Sequence, residues 1–210
     1  MNKERITIIT PTYKRLSSLK ESVNCVLNQT YDNWEHLIIA DGHDPKVEEF
    51  IKGLNDDRIR YLSTESTNFV GNFQRNVGLK NAKGKFILFF DDDNLIYENY
   101  LKEMIMKFDA DDIGYVICNI KYDNRIILAP KLPFIKCKVD TLNYMIRKDL
   151  IDKVGGWPGK KFQPGKENHD TSDFYLISSI SKISKGNFLN KTLGEYRRLE
   201  KDIGKRPTLK

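Results

Sequence analysis

Three consecutive carboxylates, Asp91-Asp92-Asp93, close the apolar run Phe86-Ile87-Leu88-Phe89-Phe90. Adjacent carboxylates repel one another, and an ordinary turn after a buried strand seldom carries three. Carboxylates packed this closely suit a hard divalent cation, Mg²⁺ or Mn²⁺. Such an ion binds one or two of them and takes its other ligands from diphosphate oxygens and water. The competing reading is an acidic turn in which Asp93 or Asn94 caps a helix. Asp41 precedes Gly42 at the end of a second apolar run, His36 to Ala40. It is either a turn residue or an acceptor for a nucleobase N–H or a ribose hydroxyl. Asp170 and Asp173 stand before the helical stretch that includes Phe174-Tyr175-Leu176. Charge at the start of a helix is ordinarily favourable to the macrodipole.

Other chemistries are absent from the sequence. His36, His43 and His169 have no metal-triad spacing, and Cys25, Cys118 and Cys137 have neither zinc-site nor disulfide spacing. The chain has no G-x-x-x-x-G-K-[ST] loop, no G-x-G-x-x-G after its first strand and no G-x-S-x-G elbow.

The elements that must position the carboxylates alternate in type. Ile6 to Thr10, His36 to Ala40, Ile59 to Leu62 and Phe86 to Phe90 read as short buried strands. Helical patterns lie between them, with Leu16, Leu19, Val23, Val26 and Leu27 in the first. The second surrounds Val47 to Leu54, and the third runs from about Phe69 to Ala82. This alternation predicts a mostly parallel sheet with helices on both faces. Ligands of such sheets bind beyond the carboxyl ends of the strands. Those ends carry Pro11-Thr12-Tyr13, Asp41-Gly42 and the Asp triplet.

The second half is less regular. A helix is expected from Tyr100 to Phe108, and strands from Tyr115 to Ile120 and from Arg125 to Leu128, turning at Asp123-Asn124. Another strand covers Asn143 to Ile146, with a short helix ending at Gly155-Gly156. Residues 157–169 read as an exposed loop before a helix from about Thr171 to Ile183. These strands form a small second β element. The 210 residues hold no repeat and no long linker, so one domain is expected. About 1–95 and about 96–210 would be its two halves.

With 40% hydrophobic and 30% charged residues, and Gly 13 and Pro 7, collagen-like and disordered chains are excluded. The net charge of +6 favours anionic partners. Residues 191–210 hold seven basic and three acidic side chains, a local +4. The apolar stretch after Lys3-Glu4-Arg5 ends at Pro11, too short for a signal-peptide core. A cytoplasmic location with reduced thiols is therefore expected.

Jointly, these motifs resemble family 2 glycosyltransferases of the GT-A fold. Ile8-Ile9-Thr10-Pro11-Thr12-Tyr13-Lys14-Arg15 is similar to the family's opening strand and loop, and Val26 to Tyr31 to the segment after it. Asn72, Arg75-Asn76 and Gly78-Leu79 resemble its Arg-Asn-x-Gly helix. Phe89 to Asp93 is similar to its D-x-D signature, and Val154-Gly155-Gly156-Trp157, Asp173-Phe174 and Tyr196-Arg197 to its later landmarks. Three positions depart from the pattern. A single carboxylate stands at Ala40-Asp41-Gly42, Ser172-Asp173 replaces Glu-Asp, and Glu200 replaces a common His.

The resemblance implies inverting transfer of a sugar from a nucleotide-diphosphate donor, with UDP favoured, to a hydroxyl of a glycan or glycoconjugate. It implies Mn²⁺ or Mg²⁺ on Asp93 with Asp91, and Asp92 helping the metal or holding the ribose. Pro11, Thr12, Tyr13, Arg15, Asp41 and Arg75 would line the donor pocket. Arg197, Arg198 or Lys201 would neutralise the diphosphate from the C-terminal segment. Asp173 is the expected base and Asp170 its runner-up. No nucleic acid partner is expected, and peripheral membrane contact would run through the basic C-terminal segment. A nucleotidyltransferase would share the layout, but no Gly-rich loop follows the first strand. A non-catalytic binding module would account for the charge but not for the carboxylates.

Overall fold

The computed structural model describes residues 4–66, 71–122, 125–127, 129–136, 138–159 and 171–197. Four strands and three helices alternate first: β1 (Ile6–Thr12), α1 (Leu16–Leu27), β2 (Trp34–Asp41), α2 (Pro45–Gly53), β3 (Ile59–Thr64), α3 (Asn72–Asn81) and β4 (Phe86–Phe89). Then come β5 (Leu95–Ile96), α4 (Tyr100–Ile105), β6 (Ile113–Tyr122), β7 (Arg125–Ile127), β8 (Tyr144–Arg147), α5 (Lys148–Lys153), α6 (Ser172–Ser181) and β9 (Lys185–Tyr196).

The nine strands among the described residues join one sheet, in the order β3-β2-β1-β4-β8-β6-β9-β5, with β7 on β6. The first four strands are parallel, as the crossover helices require. β8 is antiparallel to both β4 and β6, whereas β6 and β9 are parallel. β5 pairs antiparallel with β9 and β7 with β6, and the strands expected as a small second β element, β6, β7 and β8, continue the same sheet.

Both faces of the sheet are covered, which explains the unbroken apolar runs of its strands. Successive side chains point to opposite faces. Ile6, Ile8, Ile38, Leu88 and Phe90 therefore pack with Leu19, Val23 and Val26 of α1 and Val47 and Ile51 of α2. Ile9, Leu37, Ile39, Ile87 and Phe89 pack with Leu79 of α3, Ile151 of α5 and Leu176, Ile177 and Ile180 of α6. Two pairs of polar side chains inside this core satisfy each other. Thr7 Oγ1 donates to Glu35 Oε1 at 2.7 Å, and Thr10 Oγ1 meets His36 Nε2 at 2.8 Å. Gly78 of α3 has no room for a side chain, since a Cβ there would lie 2.5 Å from Ile9 Cγ2.

The second half departs from expectation in three places. α4 ends at Ile105 rather than Phe108. β9 is a twelve-residue strand in a stretch for which the sequence predicted no element, and its register on β6 shifts at three points. Trp157, expected in an exposed loop, is only 3% exposed. Its ring packs edge-on against Phe89 at 4.6 Å, so the tryptophan belongs to the core. His169, Asp170, Arg198, Glu200 and Lys201, and the turn Asp123-Asn124, lie outside the described residues.

Candidate functional site

The carboxyl ends of β1 and β4 are brought level by their register, Ile6 opposite Phe86 through Ile9 opposite Phe89. Three residues on, Thr12 Oγ1 donates to Asp92 Oδ2 at 2.7 Å. Arg15, just before α1, reaches across with one Nη1, 3.2 Å from Asp92 Oδ1 and 2.9 Å from Asp93 Oδ2. Asp92 and Asp93 are buried, and burial raises the Asp92 carboxyl above its usual range. The Thr12 hydrogen bond and Arg15 oppose that rise, while neighbouring Asp91 adds to it.

Asp91 takes a different partner. It pairs with Arg75 Nη2 from the first turn of α3. Arg75 is itself buried, with its guanidinium 4.6 Å over the Trp157 ring. Asn72 and Asn76, on the same helix, fix that ring. Trp157 Nε1 donates to Asn72 Oδ1 at 2.7 Å, and the Trp157 N–H donates to Asn76 Oδ1 at 2.9 Å. Gly71 opens the helix at φ 88, where a Cβ would lie 2.3 Å from Arg75 Nη1. Glycine there both tolerates the left-handed turn and clears the path of the arginine. Gly156, also at φ 88, leaves the same kind of space for Asn76 Oδ1.

Arg197 follows β9. Its Nε donates to the Asp93 carbonyl at 2.9 Å, its backbone N–H donates to Asn94 Oδ1 at 3.2 Å, and Nη1 pairs with Glu21 of α1. At this residue the C-terminal segment is tied to the acidic turn. Asp41 lies buried at the end of β2, one position beyond the Ala40 that faces Thr12. Pro11 is half-buried opposite Ile39 of β2, and the Tyr13 ring is exposed, with Lys14 Nζ 5.0 Å from its centre.

Asp173 is in the first turn of α6, where its Oδ1 accepts the Phe174 N–H at 2.6 Å. It is linked to the rest of the site through Tyr144 of β8. That phenol is fully buried and its hydroxyl has no hydrogen-bond partner among the described residues. Burial raises its pKa well above the usual value, the Asp173 carboxylate adds to this and Arg75 opposes it, with Asp140 and Asp91 contributing further. Asp173, Arg75 and Asp91 therefore share one electrostatic neighbourhood.

Thus the structure gathers Thr12, Arg15, Arg75, Asp91, Asp92, Asp93 and Arg197 by direct contact, with Asp41 on the adjoining strand end and Asp173 beyond Tyr144. Glu21, Gly71 and Tyr144 were not legible as site residues. A lone acid on a helix, a glycine before one and a tyrosine in a strand carry no motif. Among the described residues no three His, Cys, Asp or Glu side chains converge as a metal cage. Asp91, Asp92 and Asp93 offer hard oxygen donors of the kind that Mg²⁺ or Mn²⁺ takes one or two at a time.

Fold and site together define a glycosyltransferase fold of the GT-A type. Residues 7–157 match the family model described as Glycosyl transferase family 2, and the chain belongs to that family. It is 30% identical to the glycosyltransferase GlyA of Streptococcus pneumoniae serotype 4 over 204 residues, 96% of this chain and 26% of GlyA. It is 29% identical to WfgD of Escherichia coli, named a UDP-Glc:alpha-D-GlcNAc-diphosphoundecaprenol beta-1,3-glucosyltransferase, over 70% of this chain and 62% of that one. The chain spans only 17%, 20% and 19% of three Rickettsia glycosyltransferases that it matches at 36–37% identity. Among solved structures, S. aureus TarS 1–349 in complex with UDP superposes with a TM-score of 0.74 at 19% identity, covering 95% of this chain and 62% of that one. A mannosyltransferase from Pyrobaculum calidifontis in complex with GDP-Man and Mn²⁺ also gives 0.74, at 13% identity, covering 93% and 57%.

Proposed function

We propose that the chain is an inverting glycosyltransferase that takes a sugar from a UDP-sugar and delivers it to a hydroxyl of a glycan or glycoconjugate. One observation carries this reading: three acids and three arginines meet at the carboxyl ends of parallel strands. Such an edge can hold a charged diphosphate and its counter-ion together.

In this reading Asp41 accepts the uracil N3–H, and Thr12 and Tyr13 line the nucleoside pocket beside Pro11. Asp92 holds the ribose. Asp93, with Asp91, holds Mn²⁺ or Mg²⁺, which supplies Lewis-acid neutralisation of the departing diphosphate. Arg15 and Arg197 add positive charge on the leaving side, and Arg75 steadies Asp91. Asp173 removes the acceptor hydroxyl proton while the acceptor oxygen bonds to the anomeric carbon. The bond from that carbon to the diphosphate oxygen breaks on the opposite face, so the configuration inverts. Asp170 is the alternative base. UDP is favoured by the carboxylate at position 41, by the UDP complex of TarS and by the donor in the WfgD name.

Thermal shift with UDP and with GDP, each with and without Mn²⁺, tests the donor assignment. Ligand at a hundred times its Kd stabilises by about 2.7 kcal/mol, roughly 5–10 °C for a chain of this size. UDP with Mn²⁺ should give the larger shift. A larger shift with GDP would move the donor to a GDP-sugar and give Asp41 another role.

A further inference from the structure

The stretch between β7 and β8 is a short strap rich in lysine and aliphatic side chains. Phe134 is its anchor, 8% exposed, with its ring 6.0 Å from Tyr115 and inside the cluster that contains Tyr144, Trp157 and Leu176. On either side of this anchor the chain turns outward. Leu132 is 53% exposed and Ile135 63% exposed. Lys138 closes the turn, its N–H donating to the Ile135 carbonyl at 3.1 Å.

Aliphatic side chains this exposed gain nothing from the fold, and two within four residues are not the scattered single exposures of an ordinary surface. Their neighbours are Lys131, Lys136 and Lys138, and no acidic residue occurs from position 125 to 139. Lys131 and Lys138 are exposed, and the Lys136 ammonium lies 5.9 Å from the centre of the Tyr175 ring on α6. Elsewhere the setting differs: exposed Met106 stands near Asp109, and two lysines near exposed Ile183 and Phe188, Lys185 and Lys191, are ion-paired with Asp112 and Glu103.

We infer that this strap docks the protein on a bilayer surface bearing anionic headgroups, with Leu132 and Ile135 entering the interface and the exposed Lys131 and Lys138 facing lipid phosphates. Each half of the arrangement answers one part of such a surface. Aliphatic tips enter the boundary between headgroups and acyl chains, and lysines beside them neutralise anionic lipid within a Debye length. No helix among the described residues is long and apolar enough to cross a membrane, so this contact would be peripheral. Because Lys136 reaches Tyr175, two residues from Asp173, the docked face adjoins the acceptor side of the site. That last step rests on the base assignment given above; the docking itself does not.

Vesicle flotation of the full chain tests the proposal, using equimolar phosphatidylglycerol and phosphatidylcholine against phosphatidylcholine alone. The wild type should float with the anionic vesicles at low salt, and should remain at the bottom with the neutral ones. Leu132→Ser with Ile135→Ser, and separately Lys131→Glu with Lys138→Glu, should each lower the floated fraction at least tenfold. These side chains are exposed, so both double variants should keep the wild-type melting temperature and the UDP-induced thermal shift. A wild type that stays at the bottom with anionic vesicles overturns the proposal. So does flotation undiminished in both double variants, which would assign the contact to another basic surface such as the C-terminal segment. Loss of UDP binding in the wild type, by contrast, would count against the donor reading and leave the flotation result standing.

Discussion

Thr12 and Asp92, eighty positions apart in sequence, share a 2.7 Å hydrogen bond that ties the end of β1 to the acidic turn after β4. The bond answers the main cost of the site, a nearly buried carboxyl whose charged form is disfavoured by desolvation. Replacing Thr12 by Val keeps the shape and removes the donor. The variant should lose about 1–3 kcal/mol of stability, read as a lower urea midpoint, and should bind UDP more weakly. A midpoint equal to wild type would mean that Arg15 alone satisfies Asp92.

His36 sets a pH dependence far from the chemistry. It is fully buried on β2, and burial lowers its pKa to about 3 from an ordinary 6.5. Below pH 6.5 the unfolded chain takes up a proton that the native imidazole refuses. Stability from this group is therefore complete above 6.5 and falls as the pH drops from 6.5 towards 3, at up to about 1.4 kcal/mol per pH unit. Urea unfolding at pH 7.5 and 5.5 measures the loss, with His36→Gln as the control in which the difference should shrink. An equal loss in both proteins would place the acid sensitivity in the carboxylates.

The parallel half was legible because its signals were local. Four apolar runs, three of them ended by Pro11, Asp41-Gly42 and the Asp triplet, marked both the strands and the edge where their polar residues meet. What escaped the sequence depended on partners far along the chain. β9 reads as polar, with Lys185, Asn187, Asn190 and Lys191, because only one side of much of it is covered and its register on β6 shifts. Trp157 follows two glycines and precedes Pro158, a pattern that suggests a loop. Only the fold shows that Asn72, Asn76 and Phe89 enclose it. The Asp triplet advertised a charge cluster, yet nothing in it indicated that Arg15 would take two of the acids and Arg75 the third.

Asp173 and Asp170 can be separated directly. Asparagine keeps the size of either side chain while removing the base. Asp173→Asn should retain UDP affinity and lose 10²–10⁴-fold in sugar transfer or donor hydrolysis, the usual span for a general base. Asp170→Asn should stay active. The reverse pattern would assign the base to Asp170, and activity in both variants would direct the search to Asp140.

The central claim is that the acidic turn holds UDP through a divalent cation on Asp93. Calorimetric titration of UDP into the wild type and into Asp93→Ala, each with Mn²⁺ and with a chelator, tests it most directly. The account predicts binding by the wild type with Mn²⁺, and at least a tenfold loss of affinity both on chelation and in Asp93→Ala, which should still melt cooperatively. Equal UDP affinity in the wild type and Asp93→Ala, or in the presence and absence of the metal, would contradict it.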